Sequence, residues 1–261
     1  MTCTIDIGNT SAKLVLWTPE GSYVHFSRLS GTWSEAFAAL AAQYCRFSRV
    51  YISNVAGPQP ELEAALAELQ QQSGTLPSSP AGGPQSGGLE VRWLTWDLPE
   101  ASRWVSNIPA GLGADRLAAI VGARAAAPDS DLIVVDAGTC LTFDVVRRDG
   151  RIMGGNISPG VALRLKAMHE HTAALPLFGP EGDAPEMGFD LPTAMRGGAV
   201  NGVKWEIEGF TRAIWRTMPE ARLFSTGGNL FDFAPDVAAR TTCDPLLVHK
   251  GLIEFFGAPR A

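Results

Sequence analysis

The feature that most constrains this fold is a short unit that occurs twice. Leu132–Val146 reads LIVVDAGTCLTFDVV, an apolar run that breaks at Asp136-Ala137-Gly138-Thr139 and then resumes. Thr4–Trp17 repeats the grammar: Asp6, Ile7, Gly8, Asn9 and Thr10 precede Lys13-Leu14-Val15-Leu16-Trp17. A short continuous run rich in β-branched residues reads as a strand buried on both faces. A carboxylate beside a glycine turn suits a metal-bound phosphate, because the acid holds the cation and the backbone N–H groups face the oxyanions. One such turn is ordinary punctuation between strands. Two of them 130 residues apart, half of a 261-residue chain, point to a duplicated α/β fold with a nucleotide in the cleft between halves. Two unrelated hairpin turns remain the alternative on these residues alone.

The halves are expected at 1–128 and 129–261, each a mixed sheet flanked by helices. With 46% hydrophobic and 18% charged residues the chain can bury a full core. The net charge of −6 speaks against nucleic acid as a partner, since phosphate-backbone binding needs an excess of Lys and Arg. Cys3, Cys45, Cys140 and Cys243 form no CxxC pair, so neither a zinc site nor a disulfide framework is indicated. No apolar run reaches membrane-spanning length, and Asp6 interrupts any leader-like segment. A reducing cytoplasm is the expected compartment.

Strands are expected around the Asp6 turn, at Tyr23–Leu29, Val50–Ser53, Leu89–Trp96 and Leu223–Ser225. Helices are expected around Trp33–Tyr44 (with Ser34 near its start), Leu62–Leu69, Arg116–Ala127, Leu163 to Leu175-Pro176, Thr193–Met218, and after Leu252. Gly154–Gly160 (GGNISPG) reads as turn. His169 and His171, two apart, point to nearly opposite sides of a helix and make no metal pair. In Ser73–Gly88, twelve of sixteen residues are Gly, Pro or Ser. Burial there cannot offset ordering entropy, so it reads as a mobile surface insertion within the first half.

No Walker A motif is present, and Gly111-Leu112-Gly113-Ala114-Asp115-Arg116 departs from the dinucleotide fingerprint by placing Arg116 at its last glycine. What remains is an Asp-Arg pair at a helix start. Asp115 reads either as a capping residue favoured by the helix dipole or as a base on a substrate hydroxyl, with Arg116 holding an anion.

Eight motifs in order resemble the type III pantothenate kinases, of the superfamily that groups acetate and sugar kinases with actin and the heat-shock ATPases. They are DIGNTSAK at 6–13, GLGADR at 111–116, DAGTCLTFD at 136–144 and GGNISPG at 154–160. TAALP at 172–176, TAMRGGAVNG at 193–202, STGGN at 225–229 and KGL at 250–252 complete the series. The resemblance implies a two-domain actin-like, ribonuclease H-like fold and ATP-dependent phosphorylation of pantothenate, the first step towards coenzyme A. It implies that Asp6, Ile7, Gly8, Asn9, Thr10, Ser11, Ala12 and Lys13 form the first phosphate loop, with Asp6 near the nucleotide's Mg²⁺. Thr139 would also contact ATP, and Asp136 would ligate a monovalent cation, K⁺ or NH₄⁺. Gly113, Ala114, Asp115 and Arg116 would bind pantothenate, with Asp115 as proton acceptor. Thr193 would reach pantothenate at a homodimer interface, and Thr226–Asn229 would border the adenosine.

Two positions depart from the family pattern. Ser106 stands where the family usually has a tyrosine, which leaves that pantothenate contact missing or supplied by Trp104, and Pro192 precedes Thr193. The Ser106 departure keeps open another small-alcohol phosphotransferase of the same superfamily. A non-catalytic nucleotide-binding regulator is the other reading, and it would be expected to have lost Asp115 or Asp136.

Overall fold

The structure is a computed structural model that describes residues 1–44, 47–73, 88–229 and 231–257. Cys45 and the Gly/Pro/Ser segment apart from its two ends lie outside the described residues.

Strands β1 (Thr2–Ile7), β2 (Ala12–Trp17), β3 (Tyr23–Arg28), β4 (Arg49–Asn54) and β5 (Glu90–Trp93) form a sheet in the order β3-β2-β1-β4-β5. Strands β6 (Leu132–Ala137), β7 (Cys140–Val146), β8 (Ile152–Pro159), β9 (Arg222–Gly227) and β10 (Thr241–Cys243) form a second, in the order β10-β9-β6-β7-β8. The plan is the same in both. A strand carrying the Asp-x-Gly turn pairs antiparallel with the next strand and parallel with a later one. The duplication expected from Asp6 and Asp136 is therefore a duplication of topology.

Five layers result. Helices α1 (Trp33–Gln43) and α2 (Pro60–Ser73) cover the outer face of the first sheet, burying Cys3, Ile5, Ile7 and Ile52. Helices α4 (Val161–Glu170) and α5 (Leu191–Trp215) cover the outer face of the second, burying Ile133, Val135 and Ala137. Between the sheets lie α3 (Ala114–Ala126) and α7 (Leu247–Phe256), in one core that also contains Tyr51, Leu132, Val134 and Phe224. The short α6 (Pro235–Ala238) precedes β10.

The strand period of two decides where the acids go. In β1, Cys3, Ile5 and Ile7 face outward, so Thr2, Thr4 and Asp6 face the middle layer. In β6, Ile133, Val135 and Ala137 face outward, so Leu132, Val134 and Asp136 face it from the opposite side. The helices do not respect the halves: α7, from the second, packs on β1 and β4, while α3, from the first, packs on β6 and β7 as well as β4. Their crossing uses two glycines. A Cβ on Gly251 would overlap the Ala118 carbonyl oxygen and lie 2.6 Å from its carbon, and one on Gly122 would lie 2.5 Å from the Leu247 oxygen.

Two local expectations are corrected. Gly154–Gly160 is mostly strand, paired antiparallel to β7. Its glycines read as turn signals, but Gly155 is there because a Cβ would meet the Phe143 carbonyl. The helix through Met168 stops at Glu170 rather than running to Pro176. Helix α1 starts at Trp33 with Ser34 near its start, and Thr32 caps it through a reciprocal capping box with Glu35. Strand β10 was not foreseen: it is only three residues long, too short for an alternation signal, and among the described residues it pairs with β9 alone.

Candidate active site

The Asp-x-Gly turns meet across the cleft between the sheets. Strand β1 carries Asp6 and Ile7, the turn itself is Gly8–Ser11, and β2 begins at Ala12 with Lys13. The turn closes through Gly8 N–H donating to the Ser11 carbonyl at 3.1 Å, and its counterpart closes through Gly138 N–H donating to Cys140 at 3.1 Å. The hydroxyls of Thr10 and Thr139 hydrogen-bond each other at 2.7 Å and so join the two halves.

Three carboxylates share this space. Asp6 is buried, and Lys13 donates to its Oδ2 at 3.5 Å while Oδ1 has no partner among the described residues. Burial raises the Asp6 pKa; Lys13 opposes that and Asp115 adds to it. Burial, then repulsion from Asp6, pushes Asp136 up to about 7. Asp115 is likewise raised, first by burial and against the pull of Arg116. Among the described residues, Lys13 is the one cation that acts on all three acids. An unpartnered buried oxygen and mutually repelling acids fit residues that receive cations.

The sequence reading missed Asp144. It lies on β7 beside Val134, facing α3, and Arg116 forks onto it, with Nε donating to Oδ2 at 2.9 Å and Nη2 to Oδ1 at 2.7 Å. Nη2 also reaches the Phe143 carbonyl at 3.3 Å. Arg116 is thus held as a fixed fork by a buried acid. The final Asp of DAGTCLTFD was the available signal.

Asp115 sits in the first turn of α3, behind Gly113 at the N-cap. Its Oδ1 accepts from the Arg116 backbone N–H at 2.7 Å and lies 2.5 Å from where a Gly113 Cβ would be. The absence of a side chain at Gly113 therefore lets the carboxylate fold back over the helix start. Gly227 (φ +103°) brings the end of β9 against Asp136, and Asn229 donates from backbone and side chain to the Ala137 carbonyl at 3.2 and 3.0 Å. Thr193 stands apart: its hydroxyl is committed to a capping box with Asp190 at the start of α5, where Pro192 occupies the first turn without disturbing it. Ser106 makes backbone bonds to Gly150 and Ile152, tying its loop to the start of β8.

A stability prediction follows from Asp136. Between pH about 4 and 7 the folded protein keeps a proton that the unfolded chain has lost, so stability falls as pH rises through this window. Asp6, Asp115 and Asp144 are shifted in the same direction. Ligand-free protein should lose Tm from pH 5 to 7.5 by calorimetry in metal-free buffer, and Asp136→Asn should flatten that slope. Parallel slopes for the two proteins would remove Asp136 as its source.

The profile of the Type III pantothenate kinase family matches residues 87–213. A type III pantothenate kinase of Bacteroides fragilis is 36% identical over 252 residues, covering 97% of this chain and 96% of its own. One from Porphyromonas gingivalis is 32% identical, covering 95% and 93%. Among solved structures, a Sinorhizobium meliloti chain described as a candidate 2-dehydro-3-deoxygalactonokinase superposes with TM-score 0.57 at 15% identity, covering 98% of each chain. A Campylobacter jejuni chain described as a candidate Baf family transcriptional activator gives 0.54 at 20% identity, covering 97% and 96%. These two share the actin-like fold. Near-complete coverage at 36% identity, over a duplicated fold with facing Asp-x-Gly turns, establishes that the chain belongs to the type III pantothenate kinase family.

Proposed function

We propose that this protein transfers the γ-phosphoryl group of ATP to the primary hydroxyl of pantothenate, the entry step to coenzyme A. The observation that carries the reading is the single cleft in which Asp6, Asp115 and Asp136 feel one another's charge and Thr10 meets Thr139. Phosphoryl transfer asks the protein chiefly to position groups and neutralise charge. The Gly8–Ser11 turn, Lys13 and Thr139 take the nucleotide phosphates. Asp6 holds the divalent cation and Asp136 the K⁺ or NH₄⁺; bound there, these cations neutralise phosphate charge. Gly113, Ala114 and Arg116 orient pantothenate. Asp115 accepts the hydroxyl proton as the oxygen attacks the γ-phosphorus and ADP departs.

A homodimer belongs to the same proposal. Met153 and Ile157 on β8, Trp205 on α5, and Met187, Phe189 and Leu191 just before and at the start of α5 are exposed apolar side chains. Ser158 donates to Glu206 at 2.6 Å, which sets β8 and α5 side by side. A second copy docked over α5 would cover Trp205, Met187, Phe189 and Leu191 and bring Thr193 towards the partner's pantothenate. Among the described residues no helix is long and apolar enough to cross a membrane, and the proposed setting is the cytoplasm.

The test is ADP release by the purified protein with ATP, Mg²⁺ and pantothenate, in K⁺ and then in Na⁺. Pantothenate-dependent ADP, faster in K⁺, is the expected outcome. Release with another small alcohol and none with pantothenate would transfer the chain to a different acceptor. Equal rates in K⁺ and Na⁺ would remove the monovalent-cation role of Asp136.

A further inference from the structure

Among the described residues, three of the buried polar atoms without a hydrogen-bond partner lie where the N-terminal sheet meets the middle layer: Asp6 Oδ1 and Ser53 Oγ on the sheet, and His249 Nε2 on α7. Asp6 and Ser53 are register partners on β1 and β4. His249 is on α7, which packs on both of those strands, and is 1% exposed. Its Nδ1 lies 3.0 Å from Thr4 Oγ1, and Thr4 is two residues before Asp6 on the same face of β1. Trp17 donates its indole N–H to the same oxygen at 2.8 Å.

Hydrogen-bond arithmetic selects the tautomer. Thr4 has one hydroxyl hydrogen and two acceptor positions. If that hydrogen goes to the Val15 carbonyl, 3.4 Å away, Thr4 can accept from both Trp17 and His249 Nδ1–H, and all its capacity is used. Nε2 is then a bare lone pair. In the other tautomer Thr4 donates to Nδ1, the Val15 contact is lost, and an N–H is orphaned in the core, which native structures rarely tolerate. Burial, reinforced by the Lys13 charge, pushes the imidazole down to about 3, so the ring is neutral at working pH.

The mechanism above does not use this residue, but its location is shared by two parts of the site. Through Thr4 it ties α7 to β1 one strand repeat below Asp6. Two residues on, Gly251 lets α7 cross against Ala118 of α3, the helix whose first turn carries Asp115. We infer that His249 is a positioning residue: its Nδ1–H, donated to Thr4, fixes the Asp6 turn relative to the Asp115 helix and so sets the distance between nucleotide and acceptor. Misplacement of reacting groups by about 1 Å costs on the order of 10²-fold in rate. The inference rests on the proposed phosphoryl transfer, but one of its readouts does not.

The test compares His249→Leu, which keeps bulk and removes both nitrogens, with His249→Asn, whose amide can present a donor near the Nδ1 position. Both are assayed well below their Tm with folded fractions matched by circular dichroism. Wild-type ¹⁵N spectra should show the neutral Nδ1–H tautomer. His249→Leu should lower kcat by about tenfold or more and raise KM for ATP, with KM for pantothenate little changed, and His249→Asn should recover most of kcat. ADP binding by calorimetry, which needs no acceptor, should weaken in the Leu variant and recover in the Asn variant; it judges the positioning role even if pantothenate proves not to be the substrate. A Leu variant of lowered Tm but wild-type kcat, KM and ADP affinity would overturn the inference, as would an Nε2–H tautomer.

Discussion

Asp115→Asn is expected to lower turnover by about 10²–10⁴-fold while ATP binding survives. The substitution keeps the size of the side chain and an oxygen able to accept from the Arg116 N–H at 2.7 Å, so helix α3 should start as before. What it loses is the capacity to take a proton from an alcohol. Burial already holds the Asp115 carboxyl above its ordinary range, which moves it towards the basicity a proton acceptor needs. The competing account treats Asp115 as a first-turn residue that complements the helix dipole, a role Asn fills nearly as well. Steady-state kinetics paired with nucleotide-binding calorimetry separate the two. An Asn enzyme turning over near the wild-type rate would leave Asp115 structural.

Gly251→Ala should be the most destabilising of the glycine-to-alanine changes in the middle layer. Its Cβ would overlap the Ala118 carbonyl oxygen, a backbone atom of a buried helix that cannot swing aside as a side chain would. The helices must separate, and overpacking of this kind costs about 3 kcal/mol, or roughly 6–12 °C in Tm for a chain of this size. Gly209, in the interior of α5, has nothing within 4 Å of its added Cβ. Gly209→Ala should instead stabilise by about 0.4–1 kcal/mol, because the unfolded chain loses freedom that the helix never used. Calorimetry on both variants reads the contrast directly. An unchanged Tm for Gly251→Ala would mean that α3 and α7 cross more loosely than described.

The repeat around Asp6 and Asp136 was legible because each unit is local: an apolar strand, an acid and a glycine turn within a dozen residues. Strand periodicity then fixed the face on which each acid sits. Asp144 was not legible, because its meaning depends on Arg116, 28 residues away in sequence and brought to it by the packing of α3 on β7. His249 was hidden for the same reason, since Thr4 is 245 residues distant. The exchange of α3 and α7 between sheets left no periodic mark at all. Either helix reads as an apolar stripe, and a stripe does not name the surface it will cover. Glycine misled at 154–160 because the same residue serves a turn and a close strand approach.

The position of α7 also bears on how the chain comes to be folded. Synthesis proceeds from the N-terminus, and the face of the first sheet carrying Thr4, Trp17 and Tyr51 is covered by the last helix of the described chain. The first sheet therefore emerges with the part of that face under α7 lacking its native cover, α3 reaching β4 alone, until α7 has been made. A nascent chain in that condition depends on closing a contact between segments 245 residues apart, which is slow and leaves apolar surface open to other chains in the meantime. The helix that joins the two parts of the cleft is also the one whose arrival ends that exposure.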